Sequence, residues 1–164
     1  MAQDVPQTPA VRALKAAGVA FTVHLYAYQE RGGTAHSSAA LGVAEHQVIK
    51  TLVMEDERRR ALVVLMHGDQ RVSTKALARL LGCKSITPCQ PEVAHKHTGY
   101  LVGGTSPLGM RKALPIYAER SIFELPSVYI NGGKRGFLVG LQSQDLQRLL
   151  SPILVEVGQA GEHS

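Results

Sequence analysis

The sequence predicts a mixed α/β protein of the α+β type, in which a partly closed, barrel-like sheet has helices packed outside it. Helical and strand-like segments are interspersed without a regular βαβ succession, which favours a mixed sheet over a parallel one. Two pairs of strand-like segments are joined by short charged or glycine-rich stretches, as in antiparallel hairpins. The length of 164 residues suits one domain that buries its core without a metal ion or a disulfide.

The first half of the chain contains three predicted helices and three predicted strands. Thr8 followed by Pro9 is typical of a helix N-terminus, because threonine caps free N–H groups and proline suits the first turn. Gly42 and Gly82 follow two further helices, at the position where glycine commonly ends them. The predicted helices span 8–17, 37–41 and 73–81, and the predicted strands span 21–26, 48–54 and 61–66. The last two strands form a hairpin across the charged turn at 55–60.

The second half contains more strands than helices. Helical periodicity predicts helices at 91–97 and 144–150. Apolar and β-branched runs predict strands at 101–102, 114–118, 127–130, 137–141 and 153–157. No internal repeat or linker divides the chain, so we expect one domain over 8–157, between a flexible leader at 1–7 and a flexible tail at 158–164.

Composition admits a nucleic-acid partner without requiring one. Lysine and arginine outnumber aspartate and glutamate by 18 to 13, which gives a net charge of +5 and a pI near 9.4. Such a surface attracts polyanions, although many basic proteins bind no nucleic acid. Cys83 and Cys89 are too few for a disulfide framework, which indicates reduced thiols and a cytoplasmic protein. No apolar stretch indicates a signal peptide or a membrane span.

Two glycine-rich segments are candidate binding loops. The first, 98–109, surrounds Thr105 and Ser106 with four glycines and Pro107, and glycine lets backbone N–H groups approach a carbonyl or phosphate oxygen. The second, 131–136, carries Lys134 and Arg135, which suit phosphate contacts. Each segment is equally well explained as a tight turn between strands.

Lys50 is the third candidate for a functional site. It lies within an apolar strand, where a charge is costly unless the ammonium reaches a partner, a cleft or the rim of the sheet. His95 and His97 lie two residues apart, on different faces of a predicted helix, so no metal site is predicted. Neither cysteine has a general base beside it in the sequence, so no thiol nucleophile is predicted.

Taken together, these motifs resemble those of the YbaK and prolyl-tRNA-synthetase-associated editing domains, and within that family the YbaK branch. The likeness extends from Thr8 to Val157. The matching motifs are Thr8-Pro9-Ala10, Lys50-Thr51-Leu52, Thr98 to Gly104, Ser106 to Gly109 and Gly132 to Gly136. The resemblance implies a barrel-like mixed sheet with flanking helices, as predicted above.

The resemblance also implies an activity. It predicts a trans-editing aminoacyl-tRNA deacylase that removes cysteine from Cys-tRNA(Pro), with Cys-tRNA(Cys) as a further substrate and without any cofactor. The expected partners are misacylated proline tRNA and prolyl-tRNA synthetase. In the mechanism proposed for this branch, the thiol of the substrate attacks its own ester carbonyl, so no protein nucleophile is needed.

By the same resemblance, Lys50 and Gly103 are the predicted catalytic residues. Lys50 is expected to hold the 3′ end of the tRNA or to orient the aminoacyl group, and the backbone at Gly103 is expected to face the ester carbonyl. The predicted substrate-binding residues are Tyr26, Thr51, Gly104, Thr105, Ser106, Pro107, Asn131, Gly132, Lys134 and Arg135.

Two departures from the family pattern border the predicted pocket. Asn131 stands where close relatives have serine, and the segment from Gly32 to His36 is shorter and less aromatic than theirs. The amino-acid preference therefore stays open between cysteine and alanine, the substrate of a second branch. A third hypothesis is a tRNA-binding accessory without catalytic activity.

Overall fold

The computed structural model describes residues 5–161, which contain five α-helices and ten strands. The helices are α1 (Pro9–Ala16), α2 (Gly33–Leu41), α3 (Thr74–Leu81), α4 (Pro91–Thr98) and α5 (Ser143–Leu150). The strands are β1 (Thr22–Leu25), β2 (Ile49–Asp56), β3 (Ala61–His67), β4 (Gln70–Val72), β5 (Ile86–Pro88), β6 (Ile116–Glu119), β7 (Ser127–Lys134), β8 (Phe137–Gln142), β9 (Ile153–Val155) and β10 (Gly158–Ala160).

Local sequence signals explain where the helices begin and end. The hydroxyl of Thr8 accepts the Val11 N–H at the start of α1, and the hydroxyl of Ser73 accepts the Ala76 N–H at the start of α3. Gly82 ends α3 with a φ of 70°, a left-handed conformation that costs glycine little. None of the helices in the described part of the chain is long and apolar enough to cross a membrane.

The strands form three sheets. The largest has the order β5-β2-β3-β6-β9, in which β2 pairs antiparallel with β3 and β5, while β3, β6 and β9 run parallel. A second, antiparallel sheet has the order β1-β8-β7, and β4 pairs with β10 in a third. The predicted mixed sheet with flanking helices is confirmed.

The partly closed barrel is not observed. Among the described strands, β2 of the large sheet and β7 of the second sheet meet beside a single parallel bridge between Val48 and Tyr129. A bulge between Asn131 and Lys134 then bends β7 away from a regular ladder. One bridge cannot continue the backbone hydrogen bonds from sheet to sheet, so the sheet does not close.

Strand β3 is buried on both faces and separates two apolar cores. Val63 and Leu65 face the larger core, which contains α1 and the inner face of the second sheet. Leu62, Val64 and Met66 face the smaller core, which lies against α3. Alternate residues of a strand point to opposite faces, so a continuous apolar run fits a strand that is covered on both sides.

Several boundaries differ from the predicted ones. The tail predicted at 158–164 is a strand over Gly158–Ala160, which pairs with β4; residues 162–164 lie outside the described part. In the predicted leader, Val5 packs against the larger core, and residues 1–4 again lie outside the described part. Leu101 and Val102, predicted as a strand, lie in an exposed turn. The short strands β4, β5 and β10 were not predicted, because three residues carry too little periodicity to be recognised.

Candidate active site

A cleft of about 690 Å³ opens between β2, the start of α2 and the two glycine-rich loops. Long-range folding brings the two loops and Lys50 to this one cavity, although they lie far apart in the sequence. Seven of the twelve predicted site residues line it: Tyr26, Lys50, Thr51, Gly103, Thr105, Asn131 and Arg135.

The other five predicted residues do not line the cleft. Ser106 is fully buried, and its hydroxyl accepts the Leu108 N–H at 3.2 Å. A Cβ on Gly132 would lie 2.4 Å from the Phe137 ring, and a Cβ on Gly104 would lie 2.8 Å from the backbone nitrogen of Arg135. These glycines allow close packing beneath the loops. Pro107 is buried in the same region, and Lys134 is exposed outside the cleft wall.

Lys50 is half-buried in the wall formed by β2. Its Nζ donates a hydrogen bond of 2.5 Å to the carbonyl of Gln70, at the start of β4. Burial lowers the Lys50 pKa below 10.5, and the nearby carboxylates of Glu45 and Asp69 oppose that change by favouring the ammonium. The side chain therefore has a fixed partner and keeps further N–H donors for a ligand.

The two carboxylates near Lys50 are themselves held in place. The Thr34 hydroxyl donates to Glu45 Oε2 at 2.8 Å, and His46 Nδ1 donates to Asp69 Oδ1 at 2.9 Å. The His46 ring stacks on the ring of His67, with 3.7 Å between the centroids. His67 is fully buried, and burial lowers its pKa; its Nδ1 donates to the His46 carbonyl. This arrangement gives the Lys50 side of the cleft a fixed electrostatic environment.

The first glycine-rich segment, 98–109, is called the Gly103 loop, and at Gly103 it adopts a conformation that only glycine accepts easily. Gly103 has a φ of +92°, and a Cβ added there would lie 2.7 Å from the Tyr28 hydroxyl oxygen. Asn131 Nδ2 donates to the Gly103 carbonyl at 3.0 Å, and Arg135 Nε donates to the Val102 carbonyl at 2.9 Å. The second glycine loop therefore holds the first.

Thr51 and Tyr26 contribute polar groups to the apolar part of the cleft. Among the described residues, no group bonds to Thr51 Oγ1, which is buried from solvent. Burial raises the pKa of Tyr26, whose ring meets the His36 ring edge-on with 5.9 Å between centroids. An unpaired buried hydroxyl is costly, so Thr51 is well placed to bond to a bound ligand.

Some lining residues were not predicted as site residues. Tyr28 lines the cleft, and the Arg135 guanidinium lies over its ring at 5.2 Å from the centroid. Thr34 and His36 line the cleft from α2. Cys89 also lines the cleft, and burial raises its pKa to about 11, which keeps the thiol protonated at neutral pH. No motif in the sequence marks these residues; the glycines at 32 and 33 are the only local sign of a loop beside the cleft.

The described residues contain no group of three histidine, cysteine or acidic side chains that could hold a metal ion. His95 and His97, set aside as metal ligands on sequence grounds, lie on α4 and do not line the cleft.

Comparisons with known proteins agree on one family. The model of the aminoacyl-tRNA editing domain matches residues 32–149. EbsC of Enterococcus faecalis, which carries a provisional name as a Cys-tRNA(Pro)/Cys-tRNA(Cys) deacylase, is 28% identical over 152 residues, covering 92% of this chain and 93% of EbsC. The proline–tRNA ligase of Streptococcus equi subsp. zooepidemicus is 31% identical over 100 residues, which cover 61% of this chain and only 16% of the ligase.

Solved structures share the fold. A protein provisionally described as a trans-editing enzyme for prolyl-tRNA synthetase superposes with a TM-score of 0.81 at 24% identity, covering 95% of this chain and 100% of that one. A hypothetical protein, APE2540, superposes with a TM-score of 0.83 at 23% identity, covering 92% of this chain and 99% of its own.

Proposed function

This chain belongs to the aminoacyl-tRNA editing domain family, and we propose that it is a trans-editing deacylase that removes cysteine from misacylated Cys-tRNA(Pro). The observation that carries the proposal is that one cleft joins Lys50 to the Gly103 loop. The similarity to EbsC supports the choice of cysteine, and the net charge of +5 suits a tRNA partner.

The proposed reaction uses the nucleophile of the substrate. The cysteinyl sulfur attacks the ester carbonyl, the new C–S bond forms, and the C–O bond to the terminal ribose breaks. The proton of the thiol passes through water to the ribose oxygen, and water later opens the cysteine thiolactone. The raised pKa of Cys89 supports this route, because the cysteine in the cleft wall is a poor nucleophile at neutral pH.

Lys50 and Gly103 have separate roles in this scheme. The Lys50 ammonium, held by the Gln70 carbonyl, holds the 3′ end of the tRNA or orients the aminoacyl group. The Gly103 N–H has no acceptor in the protein within residues 5–161, so it is available to the carbonyl oxygen as negative charge develops there. Thr51 supplies a further hydrogen bond from the cleft wall.

The test is a deacylation panel on proline tRNA charged with cysteine, alanine or serine. We expect the wild-type protein to release cysteine fastest and Lys50→Ala to lose that activity. Lys75→Ala is the matched control, because Lys75 is an exposed lysine of α3 outside the cleft. Equal activity of Lys50→Ala and wild type would refute the site. Faster release of alanine would assign the alanine branch, and binding of tRNA without cleavage would assign an accessory role.

The similarity to part of a proline–tRNA ligase supports prolyl-tRNA synthetase as the partner beside which the protein acts. We expect added synthetase to raise the rate of Cys-tRNA(Pro) deacylation at limiting tRNA. An unchanged rate, together with no co-elution of the two proteins on Cys-tRNA(Pro), would refute this partner.

A further inference from the structure

The side chain of Asn131 connects the two glycine-rich loops. Its Nδ2 donates to the Gly103 carbonyl at 3.0 Å, while its Oδ1 accepts the Gly133 N–H at 2.7 Å and the Lys134 N–H at 3.2 Å. The amide oxygen and one amide hydrogen are thus used within the protein. Such a side chain is well placed to hold the backbone of both loops, while the substrate-binding role predicted from the sequence for Asn131 stays a prediction.

Arg135 holds the neighbouring peptide. Its Nε donates to the Val102 carbonyl at 2.9 Å, and its guanidinium lies over the Tyr28 ring at 5.2 Å from the centroid. Tyr28 in turn fills the space beside Gly103, where a Cβ would lie 2.7 Å from the tyrosine hydroxyl. Arg135 is therefore in contact with the loop on one side and with its packing partner on the other.

These two contacts determine the direction of backbone N–H groups. In a trans peptide the C=O and the following N–H point in opposite directions. Fixing the Val102 carbonyl on Arg135 therefore fixes the Gly103 N–H, and fixing the Gly103 carbonyl on Asn131 fixes the Gly104 N–H, which donates to the Leu101 carbonyl at 2.8 Å.

Few other contacts hold the exposed part of the loop. Leu101 and Val102 are 54% and 47% exposed, and Gly103 is exposed and belongs to no helix or strand. Beneath them, the Gly104 N–H and the Thr105 hydroxyl both donate to the Leu101 carbonyl. An exposed, glycine-rich segment loses much conformational entropy when it is ordered, so it needs specific contacts to hold one conformation. The pair Asn131 and Arg135 provides those contacts.

We propose that Asn131 and Arg135 are positioning residues that hold the Gly103 loop and orient the Gly103 N–H toward the reacting carbonyl. This inference rests on the proposed deacylase function for its catalytic consequence, whereas the effect on the loop can be measured without any substrate.

Two conservative variants separate positioning from charge. Asn131→Asp keeps the shape and the oxygen that accepts the Gly133 and Lys134 N–H groups, but it replaces the donor to the Gly103 carbonyl with an acceptor. Arg135→Lys keeps the positive charge for tRNA but loses the Nε donor and the planar group over Tyr28. Two control variants make matching changes at exposed positions outside the cleft. Gln144→Glu on α5 converts an amide to a carboxylate, and Arg58→Lys in the turn between β2 and β3 replaces an arginine with lysine.

The first measurement is the backbone dynamics of the loop by NMR. We expect the ¹⁵N order parameters of Gly103 and Gly104 to fall from about 0.85 to below about 0.6 in either variant and to stay unchanged in the controls. We also expect faster hydrogen exchange of the Gly104 N–H. If Asn131→Asp does not fold, Arg135→Lys tests the proposal by itself.

The second measurement is steady-state deacylation of Cys-tRNA(Pro). A displaced Gly103 N–H predicts that kcat falls about 10- to 100-fold while KM changes little, because the contact is made in the transition state. Unchanged loop dynamics, or loosened dynamics with unchanged kcat, would overturn the inference. If wild-type protein releases no amino acid but the variants loosen the loop, the proposed function fails and the structural role of the two residues stands.

Discussion

Replacing Gly103 with alanine is the substitution whose cost follows most directly from the geometry. Gly103 has a φ of +92°, and a residue with a Cβ pays about 1–3 kcal/mol to adopt such a backbone conformation. The new Cβ would also lie 2.7 Å from the Tyr28 hydroxyl oxygen and 3.1 Å from a ring carbon, which is closer than atoms can approach without a shift.

The Tyr28 ring is the group that moves to relieve this close contact. It is 39% exposed at the rim of the cleft, so it can move out toward solvent. That movement ends its contact with the Arg135 guanidinium, which is worth about 0.5–1 kcal/mol at an exposed site. We therefore expect Gly103→Ala to cost about 1.5–4 kcal/mol, which lowers Tm by about 3–16 °C in a chain of this size.

A second glycine provides the matched control. Gly18 has a φ of +68°, but a Cβ added there would meet nothing within 4 Å. Gly18→Ala therefore measures the backbone cost alone, and the common effect of Gly→Ala on the unfolded chain cancels between the two variants. The difference between them reports the Tyr28 contact.

The assay combines thermal unfolding, followed by circular dichroism, with single-turnover deacylation of Cys-tRNA(Pro). Gly103→Ala should destabilise more than Gly18→Ala and should slow deacylation, whereas Gly18→Ala should leave the rate unchanged. Tyr28→Ala should cost about 0.5–1 kcal/mol in the wild-type background but little in the Gly103→Ala background, because the displaced ring no longer contacts Arg135. Equal destabilisation by the two glycine variants, with an equal cost of Tyr28→Ala in both backgrounds, would refute the reasoning.

Three further predictions concern polar side chains. Lys50→Met should abolish deacylation yet raise Tm at neutral pH, because burial lowers the Lys50 pKa and the unfolded chain holds the proton more tightly. The stability of the wild-type protein should therefore rise with pH from that lowered pKa up to about 10.5, and its activity should fall over the same range. Thermal melts and rate profiles between pH 7 and 11 measure both changes. Thr51→Val should leave Tm unchanged or higher, because the Thr51 hydroxyl has no hydrogen-bond partner among the described residues. The same variant should lower kcat/KM about tenfold. A lower Tm with normal kcat/KM would instead assign Thr51 to packing. The Asp56 carboxylate accepts hydrogen bonds from the backbone N–H groups of Arg60 and Arg58 and from Arg60 Nε, and these bonds lower its pKa below 3.8. The contribution of Asp56 to stability should therefore be lost as the pH falls through that lowered pKa. Urea unfolding from pH 2 to 6 should show a weaker pH dependence of stability in Asp56→Asn than in wild type, and parallel curves would contradict this.

The local elements were largely predictable because their signals lie within a few residues. Thr8 and Ser73 cap their helices through side-chain to backbone bonds, and Gly82 ends α3 in the left-handed conformation. The hairpin of β2 and β3 follows from two apolar runs around a charged turn. Such contacts are short in sequence, so composition and spacing are enough to recognise them.

The distant pairings were not predictable in the same way. The strand Gly158–Ala160 exists because β4 offers it a partner, and its own three residues predict a tail. Likewise, the open arrangement of the sheets depends on how β2 and β7 meet at Val48 and Tyr129, which no local pattern encodes.

For the candidate site, local patterns were enough to predict its components: a lysine within an apolar strand, two glycine-rich loops and motifs typical of one family. How these components lie relative to one another depends on the folded chain. Folding places Lys50 and Gly103 in one cleft, packs Ser106 and Gly132 beneath the loops, and lets Asn131, which lines the cleft, also connect the two loops. The physical reason is that a side chain's role depends on which distant backbone groups it reaches, and those groups come together only when the chain has folded.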